Sequence, residues 1–345
     1  MRVLCLAILS LCAATADAQP TLGRDRAPAV PADLKSHVDR LYSADPRVRA
    51  EAACQLGRDN RDATAAIPVL LSMLSDDVVV DALECDMSPW LRQQLGTSAD
   101  ARRWSQTSPA REAADTLGDI GDAAVPGLMT ALRHADWRTR KFAAYGLGEA
   151  EPYLDRSKVI AALSDRLSDE HADVRDRSAW ALGEIEDAGA VPALVRALQS
   201  DRDRRVRATA AWALGEIEDA SAVDGLVSVL TDSVVELRKK AAWALGEIED
   251  ASAIPGLIQT LRDDADAGVR RQAAWALGEI EGGGAVDALI QALKDAHWEV
   301  RKMAAWALGE IEDPGALTAL QAVRYDVNVE VRQAVAHAIR ELRDR

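Results

Sequence analysis

The sequence predicts an all-α fold, a right-handed α-solenoid of about nine two-helix repeats with a period of about 31 residues. Three observations lead there. The string Trp-Ala-Leu-Gly-Glu-Ile-Glu occurs five times, beginning at Trp180, Trp212, Trp243, Trp275 and Trp306, at spacings of 32, 31, 32 and 31. Looser copies begin at Cys54, Asp115, Tyr145 and His337, which makes nine registers. A fixed period of this size means stacked units that each contact only their neighbours. The apolar residues then fall at helical spacing, and no stretch alternates with period two for long enough to make a sheet. Finally, 48% of the 345 residues are hydrophobic, yet there are only one Phe, four Tyr and nine Trp. The core must therefore be built from Ala, Leu, Val and Ile.

In chain order, the N-terminus comes first. Arg2 precedes an almost wholly apolar run from Val3 to Ala14, and Ala16-Asp17-Ala18 is a small-x-small cleavage site. Residues 1–18 are read as a signal peptide cleaved after Ala18, and 19–32 as a flexible N-terminal segment. A lipoprotein signal ending at Cys12 fits less well, because Leu11 stands where a small residue is expected. The expected location is outside the cytoplasm, in the periplasm. Export leaves two cysteines, Cys54 and Cys85, in an oxidising compartment. A disulfide between them would contribute roughly 3–4 kcal/mol by constraining the unfolded chain. Beyond the N-terminus no apolar run reaches the roughly 18 residues of a membrane span. The net charge of −15 argues against a nucleic-acid partner and favours a basic one or none.

Each unit reads as two helices. In the segment Ala251 to Ile280, Ile254, Leu257, Ile258 and Leu261 make the first helix, with Pro255 in its first turn. The turn Asp263-Asp264-Ala265-Asp266 supplies N-cap acceptors. Val269, Ala273, Ala276, Leu277 and Ile280 make one face of the second helix. Small Ala residues on that face allow close helix–helix approach.

These units resemble HEAT repeats of the short bacterial type first associated with phycobilisome lyases. The resemblance rests on the Val-Arg-x-x-Ala-Ala-x-Ala-Leu-Gly helix and on a turn Asp before it. The Asp recurs at Asp169, Asp201, Asp232, Asp264, Asp295 and Asp326, and the Arg at Arg175, Arg207, Arg238, Arg270, Arg301 and Arg332. The resemblance covers roughly residues 33–345 and implies an Asp–Arg ladder between neighbouring repeats. It says much about fold and almost nothing about function.

One segment breaks the rhythm. The first helix of the second unit runs near Ala65 to Leu74, and its partner begins near Ser108. The stretch of about 76–107 between them is an insertion holding Cys85, Pro89, Trp90 and Trp104. A long loop inside a compact array is usually functional or disordered. It reads either as a binding loop or as a decorated N-terminal cap.

The Trp column bears most directly on function. With Val269 at zero on a helical wheel, the core stripe spans about 100°, while Trp275 falls near −120° among polar residues. The column runs Tyr145, Trp180, Trp212, Trp243, Trp275, Trp306, and a Glu follows one turn on at Glu184, Glu216, Glu247, Glu279 and Glu310. Trp faces beside carboxylates suit Lys or Arg side chains, and equally a Pro-rich extended chain. The expectation is a binding face on the concave side, where truncating an exposed Trp243 would cost little stability. The bland alternatives are that each Trp covers the seam between repeats, or that duplication simply copied it.

Catalysis is not expected. The HEAT-repeat deoxyhypusine hydroxylases use His-Glu pairs as iron ligands, and none of His37, His134, His171, His297 or His337 is followed by Glu. A chromophore lyase would be misplaced in an exported chain. No Ser-His-Asp arrangement, phosphate loop or Cys-x-x-Cys appears, so neither a cofactor nor a metal is expected. The expected role is a secreted scaffold binding a protein or peptide, basic or Pro-rich.

Overall fold

The computed structural model describes residues 32, 34–59, 63–81, 106–150 and 155–343. These residues form eighteen α-helices that pair into nine units. Helix α1 (Lys35–Leu41) pairs with α2 (Pro46–Asp59), α3 (Ile67–Met73) with α4 (Pro109–Ile120), and α5 (Val125–Ala131) with α6 (Trp137–Glu149). The middle units are α7 (Arg156–Arg166) with α8 (Ala172–Ile185), α9 (Val191–Ser200) with α10 (Arg204–Ile217), and α11 (Val223–Ser228) with α12 (Val235–Ile248). The last three are α13 (Ile254–Asp263) with α14 (Ala267–Glu279), α15 (Val286–Ala292) with α16 (Trp298–Glu310), and α17 (Leu317–Ala322) with α18 (Val329–Glu341). Second helices stack on second helices throughout, giving the expected α-solenoid.

Local chemistry sets these boundaries. A short 3-10 turn precedes most first helices, and an Asp opens four of these turns. Asp187, Asp219, Asp250 and Asp313 each accept the N–H two residues on. Pro255 lies in the first turn of α13, where its missing N–H is no loss. Asp266 caps α14 by accepting the Val269 N–H at 3.1 Å. Ser108 caps α4, so the second unit closes where the spacing places it.

One small sheet departs from the all-α expectation. Strand β1 (Val80–Asp81) pairs antiparallel with β2 (Gln106–Thr107), Val80 opposite Thr107. The two ends of the insertion therefore lie side by side, with β1 against α2 of the first unit. Its interior, residues 82–105, holds Cys85, Pro89, Trp90 and Trp104 and lies outside the described residues, as do residues 1–31 with the signal sequence.

The core is aliphatic, a continuous run of buried Ala and Leu with Val and Ile, such as Leu182, Leu214, Leu245 and Leu277. Between units it is sealed by the Asp–Arg ladder. Arg140 reaches Asp169 at 2.8 Å, Arg175 reaches Asp201 at 2.6 Å, and Arg238 reaches Asp264 at 2.6 Å. Arg49–Asp76, Arg270–Asp295 and Arg301–Asp326 repeat the contact at 2.6, 2.8 and 2.7 Å, and Arg207–Asp232 is looser at 3.5 Å. Each guanidinium does two jobs. In Arg175, Nε and Nη2 donate to the next unit's Asp201, while Nη1 donates to the Asp169 carbonyl of its own turn. The Asp in turn accepts a backbone N–H two residues on, as Asp201 does from Asp203. The Arg175 and Asp201 side chains are only 5% and 6% exposed, so removing one would leave the other buried and unpaired. Such a loss costs about 3–5 kcal/mol. The ladder is thus structural, as the resemblance implied.

Candidate second-helix binding surface

Each second helix from α8 to α16 contributes one Trp to the column, and each of these leans toward the unit before it. The reason is the motif's glycine. A Cβ added at Gly246 would sit 2.5 Å from Cζ3 of Trp275 and 3.0 Å from the Ala276 Cα. Gly148, Gly183, Gly215 and Gly278 meet Trp180, Trp212, Trp243 and Trp306 in the same way, at 2.7–2.9 Å. The indole edge therefore rests on bare backbone, and the following Ala brings the two helices together. All five Trp side chains are half-buried and pack against the core. Each Trp is partly exposed, as the wheel reading expects, and also covers the seam between units, as the alternative has it.

Tyr145 begins the column and is buried. Its ring stacks on Trp180 at 4.9 Å, and the Arg177 guanidinium lies 5.1 Å from both ring centroids. Burial, with the Asp115 and Glu149 charges, pushes the Tyr145 phenol far above its usual range. Lys240 lies 5.3 Å over Trp243, so cation–π contact is already in use on this surface.

The Glu column lies beside the Trp column as the spacing predicts. Glu149, Glu184 and Glu310 are exposed, and Glu216, Glu247 and Glu279 half-buried. Burial raises the carboxyls of Glu184, Glu247 and Glu279, and their acidic neighbours along the column raise them further. Glu149 and Glu216 act on Glu184, Glu216 acts on Glu247, and Glu247 and Glu310 act on Glu279. A hydrogen bond from the Trp one turn back works the other way in all three. Neighbouring carboxylates on this face therefore sense one another from unit to unit.

The family match comes from the sequence. The family described as HEAT repeats matches residues 125–214, 160–246, 191–278 and 254–340. The chain belongs to the HEAT-repeat family. The PBS lyase HEAT-like repeat matches residues 109–134. No curated protein matches the chain. Among solved structures, the Escherichia coli protein YibA is similar over 79% of this chain and 95% of its own, at 19% identity and a TM-score of 0.50. The complex of CpcE and CpcF of phycocyanin lyase from Nostoc sp. PCC7120 is similar over 63% of this chain and 94% of its own, at 24% identity and 0.41. Human deoxyhypusine hydroxylase is similar over 82% and 97%, at 23% identity and 0.34. At these identities the likeness concerns the fold alone.

The HEAT units carry a second acidic column that the sequence reading passed over. Glu186, Glu218, Glu249, Glu281 and Glu312 stand just past the second helices with φ between 50° and 56°. Glycine is the usual residue for that left-handed position, and another residue there costs roughly 1–2 kcal/mol. The signal was present in the repeated Ile-Glu-Asp or Ile-Glu-Gly string, which ends each helix without a glycine at the turn residue. Glu186 raises Glu184, while Glu218 and Glu249 raise Glu247. Both columns stand at the negative ends of the helix dipoles, which makes this edge more anionic still.

The remaining candidates fall elsewhere. Cys54 is buried against Ala50 and Val80, at the root of the insertion, and Cys85 lies outside the described residues. His171 stacks on Trp137 at 4.1 Å, and His337 sits 3.4 Å from Glu341. Among the described residues no group of three or more His, Cys, Asp or Glu side chains is placed to hold a metal.

Two outcomes follow from this geometry. Gly246→Ala should destabilise the protein by about 1–3 kcal/mol, the range for overpacking, even though Ala is the better helix former by about 1 kcal/mol. Denaturant unfolding measures it, and an unchanged or raised midpoint would count against the seam contact. The second outcome concerns acid. The raised Glu carboxyls mean that the folded state binds more protons, so stability should rise as pH falls from 7 toward the ordinary Glu value of 4.5. Burial raises Asp169, Asp264 and Asp295, but Arg hydrogen bonds outweigh it and hold them below 3.8. Their contribution should be lost only as pH drops below that value. Melting curves across pH 7 to 3 should therefore pass through a mildly acidic maximum. The triple variant Glu184→Gln, Glu247→Gln, Glu279→Gln should flatten its upper limb.

Proposed function

We propose that this HEAT solenoid is a non-enzymatic scaffold holding an extended basic segment of another protein along its Trp and Glu columns. The observation that supports it is the column of closely spaced carboxylates, with Glu184, Glu247 and Glu279 raised by burial and by acidic neighbours, beside five half-buried Trp rings. Like charges repeated from unit to unit disfavour the empty surface. Lys and Arg side chains relieve that repulsion, and the Trp faces offer them cation–π contact. A Pro-rich segment would use the rings but leave the repulsion in place, so the basic partner is preferred. The second helices approach one another across Gly and Ala more closely than the first helices do. A stack with one tighter layer bends toward it, so the columns would line a concave face. Five rungs at about 8–10 Å span roughly 32–40 Å. An extended chain at about 3.3 Å per residue would lay some ten to twelve residues along it.

The same reading includes export through residues 1–18 and a Cys54–Cys85 disulfide. What supports the bridge is that Cys54 is buried against Val80 at the root of the insertion, and that Cys85 follows Val80 by five residues in the chain.

Intrinsic Trp fluorescence follows the titration of a Lys/Arg-rich dodecapeptide at low salt. Replacing Glu184, Glu216, Glu247 and Glu279 by Gln should weaken binding by about tenfold or more, given a few tenths to 1 kcal/mol per exposed pair. Equal affinity in both proteins would sink the basic-partner reading. For export, the intact mass of protein from a periplasmic extract should begin at Gln19 and lack the two hydrogens of a Cys54–Cys85 bond. Two thiols that alkylate without reductant would refute the bridge.

A further inference from the structure

The turns that lead into the last two second helices, residues 294–299 and 324–330, carry most of the exposed apolar surface. Among the described residues six large apolar side chains stand exposed, and four of them, Trp298, Tyr325, Val327 and Val329, lie on these turns. Tyr325 is 78% and Val327 92% exposed, so both protrude with almost no cover from their own chain. The two turns adjoin: Arg301 holds Asp326 at 2.7 Å, and Lys302 holds Glu330 at 3.0 Å. Folding does not ask for these apolar side chains. The same turn positions hold Arg202 and Arg204 in one earlier unit and Ala265 and Ala267 in another. The cap itself is Asn328, which accepts the Glu330 and Val331 N–H groups. Unpaired cations flank the patch. Asp295, Asp326 and Glu330 are held by Arg270, Arg301 and Lys302. Lys294, Arg324 and Arg332 make no ion pair among the described residues, and Glu299 is the one carboxylate on the two turns that makes none. Arg332 also ends the Asp–Arg ladder. Its Nη1 donates to the Asp326 and Val327 carbonyls, while Nε and Nη2 make no hydrogen bond among the described residues.

We infer that these two turns dock the protein on an anionic lipid surface. Trp298, Tyr325, Val327 and Val329 enter the headgroup region, and Lys294, Arg324 and Arg332 meet lipid phosphates. The inference is independent of the column reading. Protruding apolar side chains mark an interaction surface, and a Trp and a Tyr beside aliphatics suit the boundary between water and lipid. Cations at the rim add attraction to anionic headgroups. The Nε and Nη2 that Arg301 sets on the two Asp326 oxygens are open in Arg332, and they fit two phosphate oxygens equally well. Docking is at the surface, since no helix among the described residues is long and apolar enough to cross a membrane. The net charge of −15 does not oppose it. Trp298 and Glu310 are the first and last residues of α16, about 18 Å apart along its axis. At physiological salt the charge of the Glu columns is screened over about 8 Å. A second copy of the chain suits the patch less well. A two-fold contact would set Lys294, Arg324 and Arg332 near their own symmetry mates. A copy stacked as a further unit would need bare backbone to rest on, and Arg340 stands in the place of Gly183, Gly215, Gly246 and Gly278.

The test uses the protein as isolated from cells, at physiological salt, with vesicles of phosphatidylcholine alone or mixed with phosphatidylglycerol. In flotation the anionic vesicles should bind it about tenfold more strongly than the neutral ones. The double variant Lys294→Gln, Arg324→Gln should lose about tenfold of that binding, and so should Tyr325→Ser, Val327→Ser. All four side chains are exposed, so their exchange leaves the fold intact. Acyl chains brominated near the headgroup should quench the wild-type Trp fluorescence, and Trp298→Phe should still bind but lose the quenching. Equal binding to both kinds of vesicle, or none to either, would overturn the inference. So would binding indifferent to Tyr325 and Val327, or quenching that survives in Trp298→Phe. A wild-type dimer that the Tyr325→Ser, Val327→Ser protein does not form, with neither protein on vesicles, would make the patch a contact between copies instead. If a double variant melts early, the quenching of wild type against Trp298→Phe still decides. None of these outcomes alters the peptide titration that tests the columns.

Discussion

The close approach of one second helix to the next, across a glycine and an alanine, is the constraint on which the rest depends. A side chain at Gly148, Gly183, Gly215, Gly246 or Gly278 would collide with the neighbouring Trp and Ala. The bare backbone admits the indole edge, and the indole closes the seam. From this contact follow the half-burial of the Trp rings, the tightness of the second-helix layer and the alignment of the Glu columns. The core side chains Leu182, Leu214, Leu245 and Leu277 could tolerate repacking among similar aliphatics. The glycines could not be exchanged without moving a helix.

The Asp–Arg ladder acts at the other end of the same helices. It fixes the rotation of each unit against the next, because one guanidinium is tied both to its own turn and to the following Asp. Buried ion pairs add little net stability against a hydrophobic replacement, but they penalise wrong registers strongly. In an array whose units are almost identical, slippage by one unit is the obvious error. A geometric clamp at every junction, with seals of Trp on Gly opposite, specifies the stack more sharply than aliphatic contact alone would.

The acidic columns run against stability. Five Glu residues occupy left-handed turn positions, and two residues before three of them Glu184, Glu247 and Glu279 are raised by burial and by acidic neighbours. Neither feature helps the fold. Folding alone would place Gly or Asn at the turn and neutral residues at the column. Local disagreement with the general rules is where a site is to be sought, and here it recurs in register with the Trp rings. At one end a cavity opens beside these rings, lined by Arg111, Lys141 and Arg177 of α4, α6 and α8.

The sequence by itself determined the repeat period, the nine registers, the two-helix unit, the helix start near Ser108, the capping turn that holds Asp266 and both columns of the Asp–Arg ladder. These are local or strictly periodic features, and each repeat reports the same answer again. It also placed Glu184, Glu216, Glu247, Glu279 and Glu310 one turn from Trp180, Trp212, Trp243, Trp275 and Trp306, since helical spacing alone fixes that. Three things were decided only by tertiary structure. Whether Trp243 faces water or the seam depends on how near the preceding helix comes, and a wheel drawn for one helix contains no neighbour. The short β1–β2 pairing joins residues 25 or more apart, across a segment with no periodic signal. The cavity gathers Arg111, Lys141 and Arg177 from three different units. Periodicity places cations in these columns, again at Lys239, Arg271 and Lys302, but only the stacking of successive units brings three of them around one cavity.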